Sequence, residues 1–245
     1  MITRADIQLV RSLADKRART ETGLFVAEGA KLVGEIATSS LRIRHIYSSS
    51  EFTHPAFEHA TAKELERLSL LKTPSDTVAV VEIPHYTFDL AEAERGLVLA
   101  LDEVQNPGNM GTIIRLADWF GISDIICTPN SADCFNPKVV QATMGAILRV
   151  RVHYLDLAAT LREARKRDVE VYGTFLEGEN IYRSSLKQSG IIVMGNEGRG
   201  VSAEIGAAVS HKLLIPPYPV DRRGSESLNV AIATSIVCSE FRRRG

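Results

Sequence analysis

Apolar positions recur along this chain in two periods, and each predicts a kind of element. Over residues 5–17, Ile7, Leu9, Val10, Leu13 and Ala14 fall at roughly helical spacing and predict a helix. Residues 16–23, KRARTETG, read as a charged loop closed by glycine. Short apolar runs predict strands at 24–27, 43–48 and 78–83, with helices at 28–37 and 62–69. Residues 84–96 open on Pro84 and carry the charged stretch Glu92–Arg95, so they read as a linker.

From Gly96 the pattern becomes regular. The run LVLALDEV at 97–104 is almost continuously apolar, as expected of a strand covered on both faces. NPGNMG reads as a turn, followed by a helix over 112–120. Asn136-Pro137 has the form of a helix start, a cap followed by proline at the first helical position, and that helix is expected to reach about Leu148. Strands are predicted at 124–128, 150–154, 169–175, 191–194 and 213–216, and helices at 157–166 and 201–209. A last helix carries Leu228, Val230, Ala231, Ile232, Ala233, Ile236 and Val237, apolar on nearly every side, which predicts a buried helix. Strands alternating with helices imply an α/β fold with a mostly parallel sheet. The expected division is a small α/β domain over residues 1–90 and a larger one over 91–245.

Composition narrows the classes. The chain has 245 residues, is 44% hydrophobic and has a net charge of −1, so nucleic-acid binding would have to come from a local patch. Arg11, Lys16, Arg17 and Arg19 form such a cluster, readable as a solvated helix end or as a phosphate contact. Cys127, Cys134 and Cys238 show no CxxC spacing, and the six histidines no HxH or HxxxH, so neither a disulfide framework nor a metal site is expected. The first residues lack the apolar stretch of a signal peptide and no run approaches membrane-spanning length, so the expectation is a soluble cytoplasmic protein.

Ligands of open α/β sheets gather at the carboxyl ends of strands. Three predicted strand ends carry unusual loops: Asn106–Gly111, followed on its helix by Arg115; Gly195–Gly200; and the Pro-rich stretch before Ser227-Leu228-Asn229. Glycines there allow close approach of backbone to a ligand. The second loop is G-x-x-G-x-G, however, and neither the dinucleotide fingerprint, a Walker A sequence nor a GxSxG elbow occurs. Taken singly, each residue has a plain reading: Arg115 paired with Asp118 or Asp102, Glu197 as a turn carboxylate, Ser227 and Asn229 as helix caps.

Together, Asn109, Gly111 and Arg115, then Val193–Gly200 as VMGNEGRG, then Ile215-Pro216 and Ser227–Ala231 as SLNVA, resemble the SpoU (TrmH) family of RNA ribose 2′-O-methyltransferases in the SPOUT superfamily. Residues 4–36, with Lys16, Gly23, Phe25, Glu28 and Gly29, are similar to that family's L30e-like RNA substrate-binding domain. The resemblance implies an α/β knot, a homodimer, and transfer of a methyl group from S-adenosylmethionine to RNA, 23S ribosomal RNA more than tRNA. It implies Gly195, Ile215 and Leu228 as cofactor contacts and Arg115, Asn109, Glu197, Ser227 and Asn229 as the catalytic set. Arg115 would clamp phosphate and 2′-oxygen, Ser227 and Asn229 would orient the ribose, and Glu197 would fix the loops or Arg115. Lys16, Arg17, Arg19, Arg222 and Arg223 are the RNA-binding candidates. The alternatives are a non-catalytic RNA-binding or ribosome-assembly protein on the same fold, or another small-ligand α/β enzyme. Leu116 replaces a threonine of the family pattern and Asn106 an aspartate, and the segment Pro217–Glu226 is longer than the family's usual spacing.

Overall fold

The structure, a computed structural model, describes residues 2–219 and 227–243. The chain divides into two compact units, one of Met1–His85 and Asp133–Leu148, the other of Tyr86–Ala132 and Arg149–Gly245.

The first unit begins with helix α1 (Arg4–Ser12), started by a capping box between Thr3 and Asp6. The predicted charged loop is instead a second helix, α2 (Lys16–Thr22). The Asp15 carboxylate accepts from Arg17 N at 2.7 Å to start it, and Gly23 at φ +66° ends it. Capping at both ends makes this run helical although it has no apolar stripe. Next come β1 (Leu24–Glu28), α3 (Ala30–Ala37), β2 (Ile43–Ser48), β3 (Phe57–His59), α4 (Ala62–Leu68) and β4 (Thr77–Glu82). The sheet order is β1-β4-β2-β3, with β4 antiparallel to both neighbours and β2 parallel to β3. The three-residue β3 had no periodicity to announce it. Every residue of β1 is buried. Leu24 and Val26 join Val10, Leu13 and Leu65 on one face; Phe25 and Ala27 join Leu32, Val33 and Ile36 on the other.

Onward in the chain lie α5 (Ala91–Arg95), β5 (Leu97–Leu101), α6 (Pro107–Trp119), β6 (Asp124–Cys127), α7 (Pro137–Thr143), β7 (Arg151–Tyr154), α8 (Leu157–Lys166), β8 (Val171–Asn180), β9 (Gly190–Met194), α9 (Ala203–Ala208), β10 (His211–Leu214) and α10 (Val230–Arg243). The linker thus contains a short helix. The second sheet has six strands in the order β10-β8-β9-β5-β6-β7, and every pair is parallel. β5 and β9 are buried throughout, as two-sided cover requires. From β5 the chain adds β6 and β7 on one side; β8, β9 and β10 fill the other, so the order reverses beside β5. Helix α10 packs against α6, although the strand before it, β10, lies at the sheet edge with β8 and β9 between it and β5.

Residues 133–148 belong to the first unit, whereas the division at residue 90 put them with the second. Val140, with Phe135 and Leu148, packs into the core around Phe25 and Ile36. The physical reason lies in β1 and β4, which are apolar on both faces and need cover on the second face beyond α3. Asn136 caps α7 as expected, but Met144 at φ +51° stops it short of Leu148.

Arg19 must be corrected as an RNA contact. It is 2% exposed. Its Nε and Nη2 donate to Asp133 Oδ2 at 2.9 and 2.6 Å, and Nη1 donates to the carbonyls of Leu13 and Ala14. The guanidinium is spent tying the two segments of the first unit together. Lys16 and Arg17 are exposed, Arg17 pairing with Glu21 one turn on. Arg222 and Arg223 lie outside the described residues.

Two ends of the second sheet differ in character. At the amino end, Asp124 pairs with Arg151 and accepts from His153 at 2.8 Å. Burial works to raise its carboxyl's pKa, but the hydrogen bonds from His153 and Arg151 outweigh it and hold the group below the usual carboxylate range. The carboxyl end carries the glycine-rich loops. Helix α10 is not buried all round within this chain: Val230, Ala231, Val237 and Phe241 are covered, while Ile232 is 55% exposed.

The Arg19–Asp133 pair is buried on the arginine side and sensitive to loss of one partner. Asp133→Ala leaves a buried guanidinium without its counter-charge and is expected to destabilise the protein by about 3 kcal/mol or more. Urea unfolding of the variant against the parent chain measures it.

Candidate active site

Two adjacent strands end level with each other. Leu101 of β5 pairs with Met194 of β9, and Asp102 N donates to Met194 O at 2.9 Å. Both following loops therefore spring from one place, beside the reversal in strand order where parallel sheets hold ligands.

The first loop leads into α6, which starts at Pro107 rather than at Thr112. Asn106 Oδ1 accepts from Gly108 N and Asn109 N at 2.8 and 3.2 Å, with proline at the first helical position. The turn reading failed because Gly108 and Gly111 masked a capping signal identical to the one at Asn136-Pro137.

The second loop folds back on itself. Asn196 N and O bond Gly200 O and N at 2.9 and 2.8 Å, with Gly200 at φ +69°. A Cβ on Gly195 would lie 2.3 Å from Gly200 C and Val201 N, so this position admits glycine alone. The loop presents its main chain closely and puts no side chain in the way.

Asn229 joins the pieces. Its Oδ1 accepts from Ala231 N and Ile232 N at 3.0 and 3.3 Å, capping α10. Its Nδ2 donates to Asn109 Oδ1 at 3.0 Å and to the Glu197 carboxylate. Glu197 also accepts from Val230 N at 3.4 Å, a negative charge at a helix amino end. The plain reading, a helix cap, is correct for Asn229 and incomplete. An amide has two donor and two acceptor positions, and here all four are used within the chain, which leaves this side chain none for a ribose. Asn109, by contrast, keeps its amide N–H groups without a partner among the described residues.

Arg115 is exposed and makes no hydrogen bond or ion pair among the described residues. The pairings first open to it are taken: Asp118 holds Arg149 at 2.8 Å, and Asp102 accepts from Ser202 N at 2.7 Å. Gly108, Thr112, Arg115 and Trp119 form the outward stripe of α6, and Trp119 is 84% exposed. Arg115 thus shares a helix with Asn109 but faces away from the Asn229 cluster. Ser227 is exposed, Leu228 is 48% exposed, and Ile215 follows directly on β10. Among the described residues no group of three or more His, Cys, Asp or Glu is placed to hold a metal ion, and no helix is long and apolar enough to cross a membrane.

Residues 96–239 match the SpoU rRNA Methylase family, and residues 4–85 match the MRM3-like substrate binding domain. A 23S rRNA (guanosine(2553)-2′-O)-methyltransferase, RlmP, of Bacillus subtilis is 32% identical over 95% of this chain and 94% of its own. This chain belongs to the SpoU rRNA methylase family. Among solved structures, a TrmH-family protein from Porphyromonas gingivalis is 40% identical with a TM-score of 0.90, each chain covered completely. An AdoMet-bound rRNA methyltransferase from Sinorhizobium meliloti is 28% identical with a TM-score of 0.86, over 100% of this chain and 96% of that one. The expected SpoU fold, an α/β sheet of parallel strands behind a small α/β domain, is the fold observed.

Sequence reasoning missed Glu103, Asn196 and Arg199, which brace the second loop against the first. Glu103 was findable, since a carboxylate closing the apolar run 97–104 sits at a strand's carboxyl end.

The Asn229 cluster makes a direct expectation. Asn229→Asp cannot donate to Asn109 and sets two carboxylates face to face, so the melting temperature at pH 7 should fall by about 3–8 °C for a loss of about 1–2 kcal/mol. Repulsion raises a carboxyl pKa, so the deficit should shrink towards pH 5. Differential scanning fluorimetry across that range reads both effects.

Proposed function

We propose that this protein transfers a methyl group from S-adenosylmethionine to a ribose 2′-hydroxyl of RNA, with 23S ribosomal RNA as substrate. The observation that carries the reading is the set of three strand-end loops laced through Asn229, with Arg115, on the helix that the first loop starts, without a partner among the described residues. The Bacillus and Sinorhizobium relatives, matched over nearly their whole lengths, favour ribosomal RNA over tRNA.

The residues present suit the cofactor. Gly195 brings main chain close with no side chain intervening, and the half-buried Ile215 and exposed Leu228 offer apolar surface for a purine. When bound, S-adenosylmethionine supplies a methyl group already activated on a positively charged sulfur. The chain's own work is then orientation and charge. A guanidinium offers five N–H donors and no acceptor, so Arg115 serves as a clamp on phosphate and 2′-oxygen that stabilises developing negative charge, not as a base. The free amide of Asn109 and the hydroxyl of Ser227 face the ribose, while Glu197 and Asn229 hold the frame. Lys16 and Arg17, with Arg222 and Arg223, contact the RNA backbone.

The working form is a cytoplasmic homodimer. Trp119 and Ile232 expose apolar surface on α6 and α10, two helices that run parallel side by side, with Asn229 bonded to Asn109 at one end and Arg242 to the Phe120 carbonyl at the other. A second copy would cover that surface, and Arg115, on the Trp119 stripe, would reach the partner's cofactor pocket.

Three measurements test these statements. Mapping 2′-O-methyl groups in RNA from cells with and without the gene should show one site lost from 23S ribosomal RNA; an unchanged map overturns the reading, and a loss from tRNA reassigns the substrate. Arg115→Ala should lower turnover at least about 100-fold, roughly 2.7 kcal/mol of transition-state stabilisation, with cofactor affinity retained in calorimetry. Ile232→Asp should shift the protein to monomer in light scattering, and an intact dimer would rule out that interface.

A further inference from the structure

Glu103 is a non-glycine residue in the left-handed region, at φ +54°. Such a conformation persists where its surroundings hold it, and it concentrates at functional loops. Here the surroundings can be named. Glu103 N donates to Thr128 Oγ1 at 2.9 Å, fixing the residue to the end of β6. Its carbonyl accepts from Asn196 Nδ2 at 2.8 Å. Its carboxylate is paired with Arg199 and accepts from Asn130 Nδ2 at 3.3 Å. Asn196 and Arg199 flank Glu197 in the glycine-rich loop, and Asn196 Oδ1 accepts from Gly198 N and Arg199 N at 2.9 and 3.2 Å.

We propose that Glu103 is a positioning residue for the 195–200 loop, setting through Asn196 and Arg199 the place at which Glu197 meets the start of α10. Main chain and side chain of one residue thus grip the loop on both sides of Glu197. The positive φ is what turns carbonyl and carboxylate towards the same loop. Neither bond is replaceable by Glu197's own contacts, which among the described residues lie on the α10 side. The consequence for the cofactor rests on the proposed function, because Gly195 opens the same loop.

The test uses Glu103→Gly, which keeps the positive φ and the carbonyl acceptor while deleting the carboxylate, beside Glu103→Gln, which keeps the length and removes the charge. Hydrogen exchange by mass spectrometry should show faster exchange for a peptide spanning 195–202 in Glu103→Gly, with peptides of β6 and β7 unchanged. Calorimetry should show S-adenosylmethionine bound about tenfold more weakly by Glu103→Gly, with Glu103→Gln in between. Arg199→Ala combined with Glu103→Gly should be no worse than either alone, the mark of one shared contact. Unchanged loop exchange overturns the positioning role, and so do independent, multiplying effects in the double variant. If the loop loosens while cofactor affinity stays within about twofold of the parent chain, the link to the cofactor is overturned. Parent protein that binds no S-adenosylmethionine overturns the methyltransferase reading instead, and the exchange data then decide the role of Glu103 separately.

Discussion

The carboxamide of Asn229 has every hydrogen-bonding position filled, and the second unit depends on that. Two bonds start the last helix and two reach out to Asn109 and Glu197. The assignment of oxygen and nitrogen is forced: the backbone N–H groups demand an acceptor and the Glu197 carboxylate demands a donor. Three segments far apart in sequence are thereby held in one register. Each bond adds about 0.5–1.5 kcal/mol, more for the one to the Glu197 carboxylate, and one side chain makes all four, so losing it loosens three segments at once.

Around this cluster, the parallel sheet supplies rigidity. β5 and β9 are fully buried neighbours, so the loops they deliver start from fixed points. Glu103 continues the same order outward by gripping the loop after β9 from the end of β5. Arg115 stands apart from all of this. On the outward stripe of α6 it has no partner among the described residues, so it contributes no bond to the frame that Asn229 and Glu103 hold.

The parallel sheet, the small leading domain and the three loop motifs were legible because each has a local sign: alternating elements, caps and glycines at strand ends. What was not legible depended on tertiary partners. Arg19 looks like its neighbours Lys16 and Arg17, and only Asp133, distant in sequence, makes it an interior residue. α10 is apolar on most sides, but composition cannot say whether the cover comes from the same chain or another. The glycines after the Asn106-Pro107 cap suggest a turn, yet Gly111 is buried inside α6. No pattern of residue types announces the backbone conformation of Glu103.

The membership of residues 133–148 in the first unit bears on the order in which the protein can be made. Phe25 meets Phe135 with ring centroids 4.9 Å apart, and Val140 completes the same cluster. A nascent chain that has just passed His85 holds a four-stranded sheet with one face incompletely covered. The missing cover leaves the ribosome only after β5 and β6 have been synthesised, so the leading unit closes when two of the trailing unit's six strands are already made. A fragment cut at the apparent boundary would expose Phe25 and Ala79 to water, and the shortest piece that contains the complete leading core is one that runs through Leu148.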